Sequence, residues 1–521
     1  MALNEGTGFK VGDEDRLGML PDDILLCILR KVDITTAVRA SVLSVRWKHL
    51  PWLLRELTID VNDFLPVPKP EPIEAEHIDE AMSSLSKAVR SFLATPHSGG
   101  AIARLRLKFY LINNYVFDVG SLVTEAIDIG ILKDLNLAIL DEVGFPDSTM
   151  EHMLQQACLV RDFFSDHPSL SNCLTRLSLY NVCFSKWDIN HCLFDCCQQL
   201  QRLYISNCVL AKLEMVCLPK LERLKWDTWF CSRAPLSFGL IPSLKKLYLI
   251  CPGIKYIEGF ILSEVLSDTT SLHTLKLDFQ GEKIWLQQPE GKQPCTSFNT
   301  LRKLSIHGIF VQFSLLWMRV LLEATPLLEL FDIEIWEHPC QIYDSRLPFG
   351  ERTNLSWKVP ELTSSNNCFM KEFQIIGFKP LEQQMEFIRI VLQRAPNLET
   401  VILKYDDPCE DCEKMDIFPP RSSTDSVFPK NKNEKDVTVN LLKAGLSSRA
   451  RIIFNETVLV RRVCISNKSI FNCIKMDKPK VPIESSELHG RALHPAPVRR
   501  RLREVGTSTY GRCSVGTWKA Q

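Results

Sequence analysis

Residues 174–183 read LTRLSLYNVC and residues 200–208 read LQRLYISNC. In both, leucine or isoleucine fills the first, fourth and sixth places, and asparagine with a nearby cysteine closes the segment. The fourth and sixth places lie two apart, so in an extended chain their side chains share one face and the residue between them points to the other. The same box recurs along the chain at Ile102–Leu107, Leu132–Leu137, Leu174–Leu179, Leu200–Ile205, Leu221–Trp226, Leu244–Leu249, Leu272–Leu277 and Leu301–Ile306. It continues in degenerate form at Leu327–Phe331 and then at Met370–Ile375 and Leu398–Leu403. Successive starts differ by 30, 42, 26, 21, 23, 28, 29, 26, 43 and 28 residues. A strand this short cannot pair its own backbone, and the connections are long enough to carry each crossover, so the expectation is a stack of strands in one continuous parallel sheet. The alternative is a set of unrelated amphipathic strands in a mixed domain.

Most of those intervals fall in or beside the 20–29-residue period of leucine-rich repeats, which the boxes resemble; the two longest hold insertions or a missed repeat. In such repeats the Asn or Cys position, here Asn181 to Cys183 and Asn207-Cys208, turns the chain and bonds the backbone ladder.

Upstream lies a different pattern, RLGMLPDDILLCILRKVDITTAVRASVLSVRWKHLPWLLREL, at residues 16–57. Pro21 suits the first position of a helix, and Asp22 and Asp23 suit its positive end. Ile24 and Ile28, and Leu25 and Leu29, are each four apart and share a helical face. Asp33, Thr35 and Thr36 are cap candidates for a second helix carrying Val38, Val42 and Val45, with Leu43 and Trp47 beside them. Some forty residues are too few to be stable alone, and surplus apolar surface on such a unit marks a partner site. The stretch resembles an F-box, of the kind found in plant F-box/LRR proteins; Val45 stands where an Arg is common in relatives. The resemblance implies docking on a Skp-type adaptor, and through it on a cullin-based ubiquitin ligase. Leu20, Pro21, Ile24, Leu25, Ile28, Leu29, Leu43 and Trp47 are the implied adaptor-binding residues.

The fold class expected is therefore α/β: a small N-terminal helical F-box, then an irregular leucine-rich-repeat solenoid with a parallel sheet, then a disordered C-terminal tail. The corresponding segments are 1–14 disordered, 15–60 F-box, 61–100 linker and helix, 101–365 repeats, 366–454 and 455–521. A Pro-rich linker (Asp63 to Pro72) precedes an amphipathic helix at Glu76 to Leu93, with Met82, Leu85, Val89 and Phe92 as its stripe. Asn366 to Phe454 resembles the FBD-type region of the same plant proteins, with a helix at Gln383 to Arg394 ended by Pro396. Asp406 to Lys435 reads as a loop. Beyond Phe454 the chain is atypical; VLVRRVCIS suits one more strand, and Pro, Arg, Ser and Gly dominate from Asp477, with a basic run at Arg499 to Arg503.

The chain has 62 basic and 62 acidic residues, so its net charge is zero, which argues against a dominant attraction to nucleic acid or membrane. No apolar leader follows Met1, and the most apolar run, Phe310 to Leu322, is shorter than a membrane helix and carries Gln312 and Arg319. Nineteen cysteines, an odd number, without a secretory signal suit reduced thiols in a cytoplasmic and/or nuclear protein; the sequons at Asn455 and Asn467 then stay unmodified.

No nucleotide loop, H-E-x-x-H or G-x-S-x-G motif is present, and neither Cys409-x-x-Cys412 nor the His191, Cys192, Cys196 and Cys197 group supplies a convincing metal set. No catalytic residue, metal or cofactor is expected. One pattern points to binding. The residues alternating with the core leucines include Arg176, Tyr180, Arg202, Tyr204, Arg223, Lys225, Lys246, Tyr248, Lys276 and Lys303, a basic column with tyrosines interleaved. Either it is a groove for an acidic or phosphorylated segment of a substrate protein, or it is a solvated strand face whose long stems cover apolar ridges. The functional expectation is a non-enzymatic substrate-recognition subunit of a Skp-cullin-F-box ubiquitin ligase; the alternative is a repeat scaffold with a vestigial F-box.

Overall fold

A computed structural model describes residues 17, 19–40, 42, 44–68, 73–94, 102–143, 148–184, 189, 193–209, 213–214, 218–227, 236–237, 241–251, 260–266, 269–281, 284–287, 296–336, 369–405 and 428–456. The expected disordered ends, the basic run at Arg499 to Arg503, VLVRRVCIS and the Cys409-x-x-Cys412 pair lie outside them.

Among the described residues fifteen strands follow one another: β1 Glu56–Asp60, β2 Arg104–Tyr110, β3 Asp134–Leu140, β4 Leu174–Tyr180, β5 Arg202–Ser206, β6 Leu213–Glu214, β7 Arg223–Asp227, β8 Leu236–Ser237, β9 Lys246–Ile250, β10 Thr274–Asp278, β11 Lys303–Phe310, β12 Leu330–Trp336, β13 Glu372–Ile376, β14 Thr400–Lys404 and β15 Arg451–Asn455. All but β6 and β8 form one parallel sheet of 13 strands, in chain order; β6 and β8 pair with each other. Each box supplies one strand of the large sheet because its two inner leucines have nowhere to go except against the same residues of the next repeat. Leu203, Leu224, Leu247, Leu275 and Leu304 are direct cross-strand neighbours and are all buried. Farther along, the ladder turns aromatic: Phe331 and Phe373 stack with ring centres 5.3 Å apart and planes 12° apart, as parallel in-register strands require.

Two features of the sheet depart from the sequence expectation. It begins earlier: β1 is an unrecognised box, Leu54-x-x-Leu57-x-Ile59, all three residues buried, inside the segment read as the N-terminal module. The degenerate box is regular when read one residue later, with Leu328, Phe331 and Ile333 in the core places. The sheet then runs without a break past residue 366 into β13, β14 and β15.

The apolar face of the sheet is covered by the connecting segments. Helix α4 (Ala75–Leu93) buries Met82, Leu85, Val89 and Phe92, the stripe read from the sequence. It packs beside α5 (Asn113–Asp128), with Arg90 bonded to Asp118 at 3.4 Å and the Tyr115 hydroxyl to Asp79 at 3.2 Å. The helix expected at Gln383 to Arg394 spans Glu382–Arg394. The expected loop up to Lys435 is cut short by a helix at Lys432–Lys443. Asn431 caps it, accepting from Glu434 N at 2.9 Å, while the Glu434 carboxylate reaches back to Asn431 N.

The turn role expected for Asn181 holds in detail. Its φ is 53°, and its side-chain amide donates to Asp141 Oδ2 at 2.9 Å and to the Val143 carbonyl at 3.1 Å, tying one repeat to the previous one. Cys183 and Cys208 sit fully buried beside it, and burial pushes the Cys208 thiol up to about 12, so it behaves as a small apolar plug.

Candidate functional site

Two surfaces separate themselves from this frame. The first is the N-terminal module. Its residues form α1 (Asp22–Leu29), α2 (Ile34–Ala40) and α3 (Val45–His49). The single second helix expected from the sequence is thus two, because Ser44 opens a fresh one by accepting from Trp47 N at 3.3 Å. Asp33 caps α2, taking Thr36 N and Thr36 Oγ1 at 2.7 Å each together with the Thr35 hydroxyl. Those bonds, the Thr35 hydroxyl first, hold its carboxyl down at about 2. Arg46 joins α3 to the start of α1 through Asp22 Oδ1 at 2.7 Å and the Leu20 carbonyl at 2.6 Å.

The module has a core of its own, separate from that of the solenoid: Leu25, Leu29, Ala37, Trp47, Leu50 and Leu54. Three of the eight residues assigned to adaptor contact, Leu25, Leu29 and Trp47, therefore lie inside it, at 0 %, 3 % and 5 % exposure, and shape the face instead of presenting it. Leu20 and Ile28 are half-buried at its rim, Pro21 and Ile24 are exposed, and Leu43 lies outside the described residues. The most exposed apolar side chains are others: Met19 at 68 %, Val42 at 85 % and Val45 at 81 %. Helical period alone does not identify them, because in three short helices the inward and outward faces are decided by packing.

The second surface is the concave, polar face of the sheet. Between β3 and β4 the register slips two residues relative to the boxes, so that Leu137, not Leu135, pairs with Leu177. From there the rows run straight. Arg176, Arg202, Arg223 and Lys246 are consecutive cross-strand partners in one row, flanked by Asn136 and Thr274. Ser178, Tyr204, Lys225, Tyr248 and Lys276 make the next row. Arg176, Arg202 and Arg223 of the first row and the whole of the second wall a depression of about 490 Å³, with Lys246 outside its lining.

The basic column expected here is thus divided. Lys225 is satisfied from within: its ammonium lies 2.9 Å from Asp227 and 2.8 Å from the Tyr204 hydroxyl. Burial works against its charge, but those partners outweigh it and raise its pKa. Lys276 has Asp278 at 3.5 Å. Tyr180 and Tyr204 meet edge to face at 5.5 Å, and burial carries the Tyr180 hydroxyl up to about 12. Arg176, Arg202, Arg223 and Lys246 have no acidic partner at ion-pair distance among the described residues, and burial together with the neighbouring Arg202 and Arg106 presses Arg176 below the usual arginine range. Lys303 is exposed beyond Thr274.

Sequence reading missed a buried charged cluster farther along the same face. His307 Nε2 is 2.9 Å from Asp332 and its Nδ1 2.8 Å from Glu334, with Asp278 close by. These residues come from three strands and show no motif. The donor set of Asp278, His307 and Glu334 is of a kind that binds divalent metals. Here, however, carboxylates face both ring nitrogens, which is the arrangement of an imidazolium counter-ion. Burial opposes the charged ring, the two carboxylates overcome it, and the His307 pKa is raised. Among the described residues no helix is long and apolar enough to cross a membrane.

Comparison with known proteins recognises both domains. Residues 17–51 match the F-box domain model, and residues 94–427 match the model described as the At1g61320/AtMIF1 LRR domain. The chain is 30% identical over 305 residues to the F-box/FBD/LRR-repeat protein At3g52680 of Arabidopsis thaliana, covering 52% of this chain and 62% of the relative. It is 28% identical over 243 residues to the putative F-box/FBD/LRR-repeat protein At3g49030 of the same plant, covering 46% and 52%. Against the putative FBD-associated F-box protein At5g56440, also from Arabidopsis thaliana, identity is 23% over 453 residues, covering 80% and 98%. The chain spans about half to three-fifths of the length of the first two of these.

Proposed function

We propose, from the premise that this chain belongs to the At1g61320/AtMIF1 leucine-rich-repeat family and carries an F-box ahead of its repeats, that it is a substrate receptor of a Skp-cullin-F-box ubiquitin ligase. In this reading the F-box holds a Skp-type adaptor, which joins the chain to a cullin, and the concave sheet face holds the protein to be ubiquitinated. The receptor breaks no bond itself. It raises the concentration of substrate lysines near the charged ubiquitin carrier, an effect of tethering that needs no catalytic residue.

The observation that supports this most is the state of the N-terminal module. Its core is closed and separate from the solenoid, yet Met19, Ile24, Val42 and Val45 stand in solvent on it. An apolar face that the chain leaves uncovered is what a docking module presents. The test is co-expression of the full chain with a Skp-type adaptor, followed by purification on a tag carried by the chain. A stoichiometric adaptor band is expected. Its absence at micromolar concentrations of both proteins would leave a repeat scaffold with a vestigial F-box.

A further inference from the structure

On the concave face nearly every cation near the unpaired row has its acid. Arg104 lies between Glu56 and Asp134, Lys108 has Asp60 at 3.0 Å, Lys225 has Asp227 at 2.9 Å, and Lys276 has Asp278 at 3.5 Å. The chain therefore neutralises this surface strand by strand, in the way a merely solvated face would be balanced. Arg176, Arg202, Arg223 and Lys246 break the rule on four consecutive strands, each directly opposite the next. Like charges directly opposite in a sheet are destabilising, and no carboxylate stands at ion-pair distance from the row among the described residues. The row also has defined ends, since the neutral side chains of Asn136 and Thr274 stand on either side.

We propose that the row of Arg176, Arg202, Arg223 and Lys246 is a phosphate-binding rail, and, resting on the substrate-receptor reading above, that its ligand is a phosphorylated segment of the substrate protein. Neighbouring strands are about 4.8 Å apart, so two successive guanidinium groups reach the oxygens of one tetrahedral phosphate, and the four cations extend over about 14 Å. Each guanidinium offers a planar fork that fits phosphate oxygens two at a time. A phosphoserine or phosphothreonine brings close to two negative charges at neutral pH, where a carboxylate brings one. The floor of the site is preformed. The Arg223 guanidinium lies 5.9 Å over the Tyr248 ring, and the Lys225 ammonium lies 4.4 Å over the Tyr204 ring. Lys225, held by Asp227, keeps the adjoining row close to neutral, so the positive potential is concentrated on the rail.

The test uses the full chain, purified with its adaptor where that binds, and three probes at about 150 mM salt. They are inorganic tripolyphosphate, a degenerate peptide library with one fixed phosphoserine, and the same library with serine. Tripolyphosphate should bind. Arg202→Gln/Arg223→Gln should weaken it about tenfold or more, Arg176→Gln/Lys246→Gln should do likewise from the outer positions, and Arg302→Gln, on the far side of Thr274, should leave it unchanged. The phosphoserine library should be retained about tenfold better than the serine library. Tripolyphosphate binding that is absent, or equal in the wild type and in both rail variants while their unfolding midpoints match, would overturn the rail. Binding of tripolyphosphate without preference for the phosphoserine library would keep the rail but overturn the protein ligand, and would assign a free polyphosphate. Loss of adaptor co-purification with the rail intact would refute the receptor reading alone.

Discussion

If the face around Met19, Val42 and Val45 is the adaptor contact, Val42→Glu/Val45→Glu separates docking from folding. Val42 and Val45 are 85 % and 81 % exposed, so the folded chain loses almost no packing when they change. Val45 is the first residue of α3, after the Ser44 cap, where a carboxylate meets the positive end of the helix. The double variant should therefore unfold within about 0.5 kcal/mol of the wild type. Docking is another matter. Covering two valines is worth about 1.5 kcal/mol each, about 3 kcal/mol together, and the variant also buries two carboxylates. Loss of the apolar contribution alone weakens the adaptor complex by roughly a hundredfold. The reverse case is Leu25→Ala, which opens the interior of the module at a cost of about 2–5 kcal/mol and removes docking by unfolding the module. Calorimetric titration with the adaptor and thermal unfolding, on all three proteins, read the two effects apart. An adaptor affinity for Val42→Glu/Val45→Glu within threefold of wild type would place the contact elsewhere on the module.

Three other expectations test the frame. His307 has a raised pKa, so its bonds to Asp332 and Glu334 contribute stability that is complete below its unfolded value near 6.5 and is lost as pH rises through the folded value. The wild-type advantage in unfolding midpoint over His307→Gln should accordingly shrink as pH rises above about 6.5. Gly308→Ala should destabilise by about 2–3 kcal/mol in denaturant titration, because its φ is +62° and a Cβ would sit 2.3 Å from the backbone nitrogen of Gln280. Asn431→Ala removes the side-chain half of a capping box and leaves the Glu434 carboxylate its backbone N–H; it should cost about 1 kcal/mol, seen as faster amide exchange confined to the helix at Lys432–Lys443.

The sheet was legible because its information is local. Each L-x-x-L-x-L box names its own strand, and eleven boxes of one kind leave no choice about how they stack. What escaped is what depends on neighbours. The box at Leu54 was hidden because it overlaps the end of the N-terminal module, and the helix at Lys432 because its Asn431-x-x-Glu434 signal sits at the edge of a Pro-rich stretch. Of the eight residues assigned to docking, the pattern recognised the apolar set but not its direction. Leu25 and Trp47 face the small core, while Val42 and Val45, which look equally apolar in the sequence, face solvent.

The concave face shows how far one packing detail reaches. Aligned by their boxes alone, β3 and β4 would set Asp134 beside Arg176, and the basic column would begin with an ion pair. In the structure the register carries an irregularity between Leu135 and Asn136, and beyond it the strands pair two residues away from the box alignment. Asp134 then pairs with Arg104, its neighbour on β2, and Arg176 faces Asn136. That slip leaves Arg176 without a carboxylate and extends the unpaired row from three strands to four. A variant that restored the acid, Asn136→Asp, would place a carboxylate directly opposite Arg176. On the rail reading it should stabilise the fold and weaken tripolyphosphate binding at once, two changes of opposite sign from one added charge. A surface that merely tolerates its cations would show the first without the second.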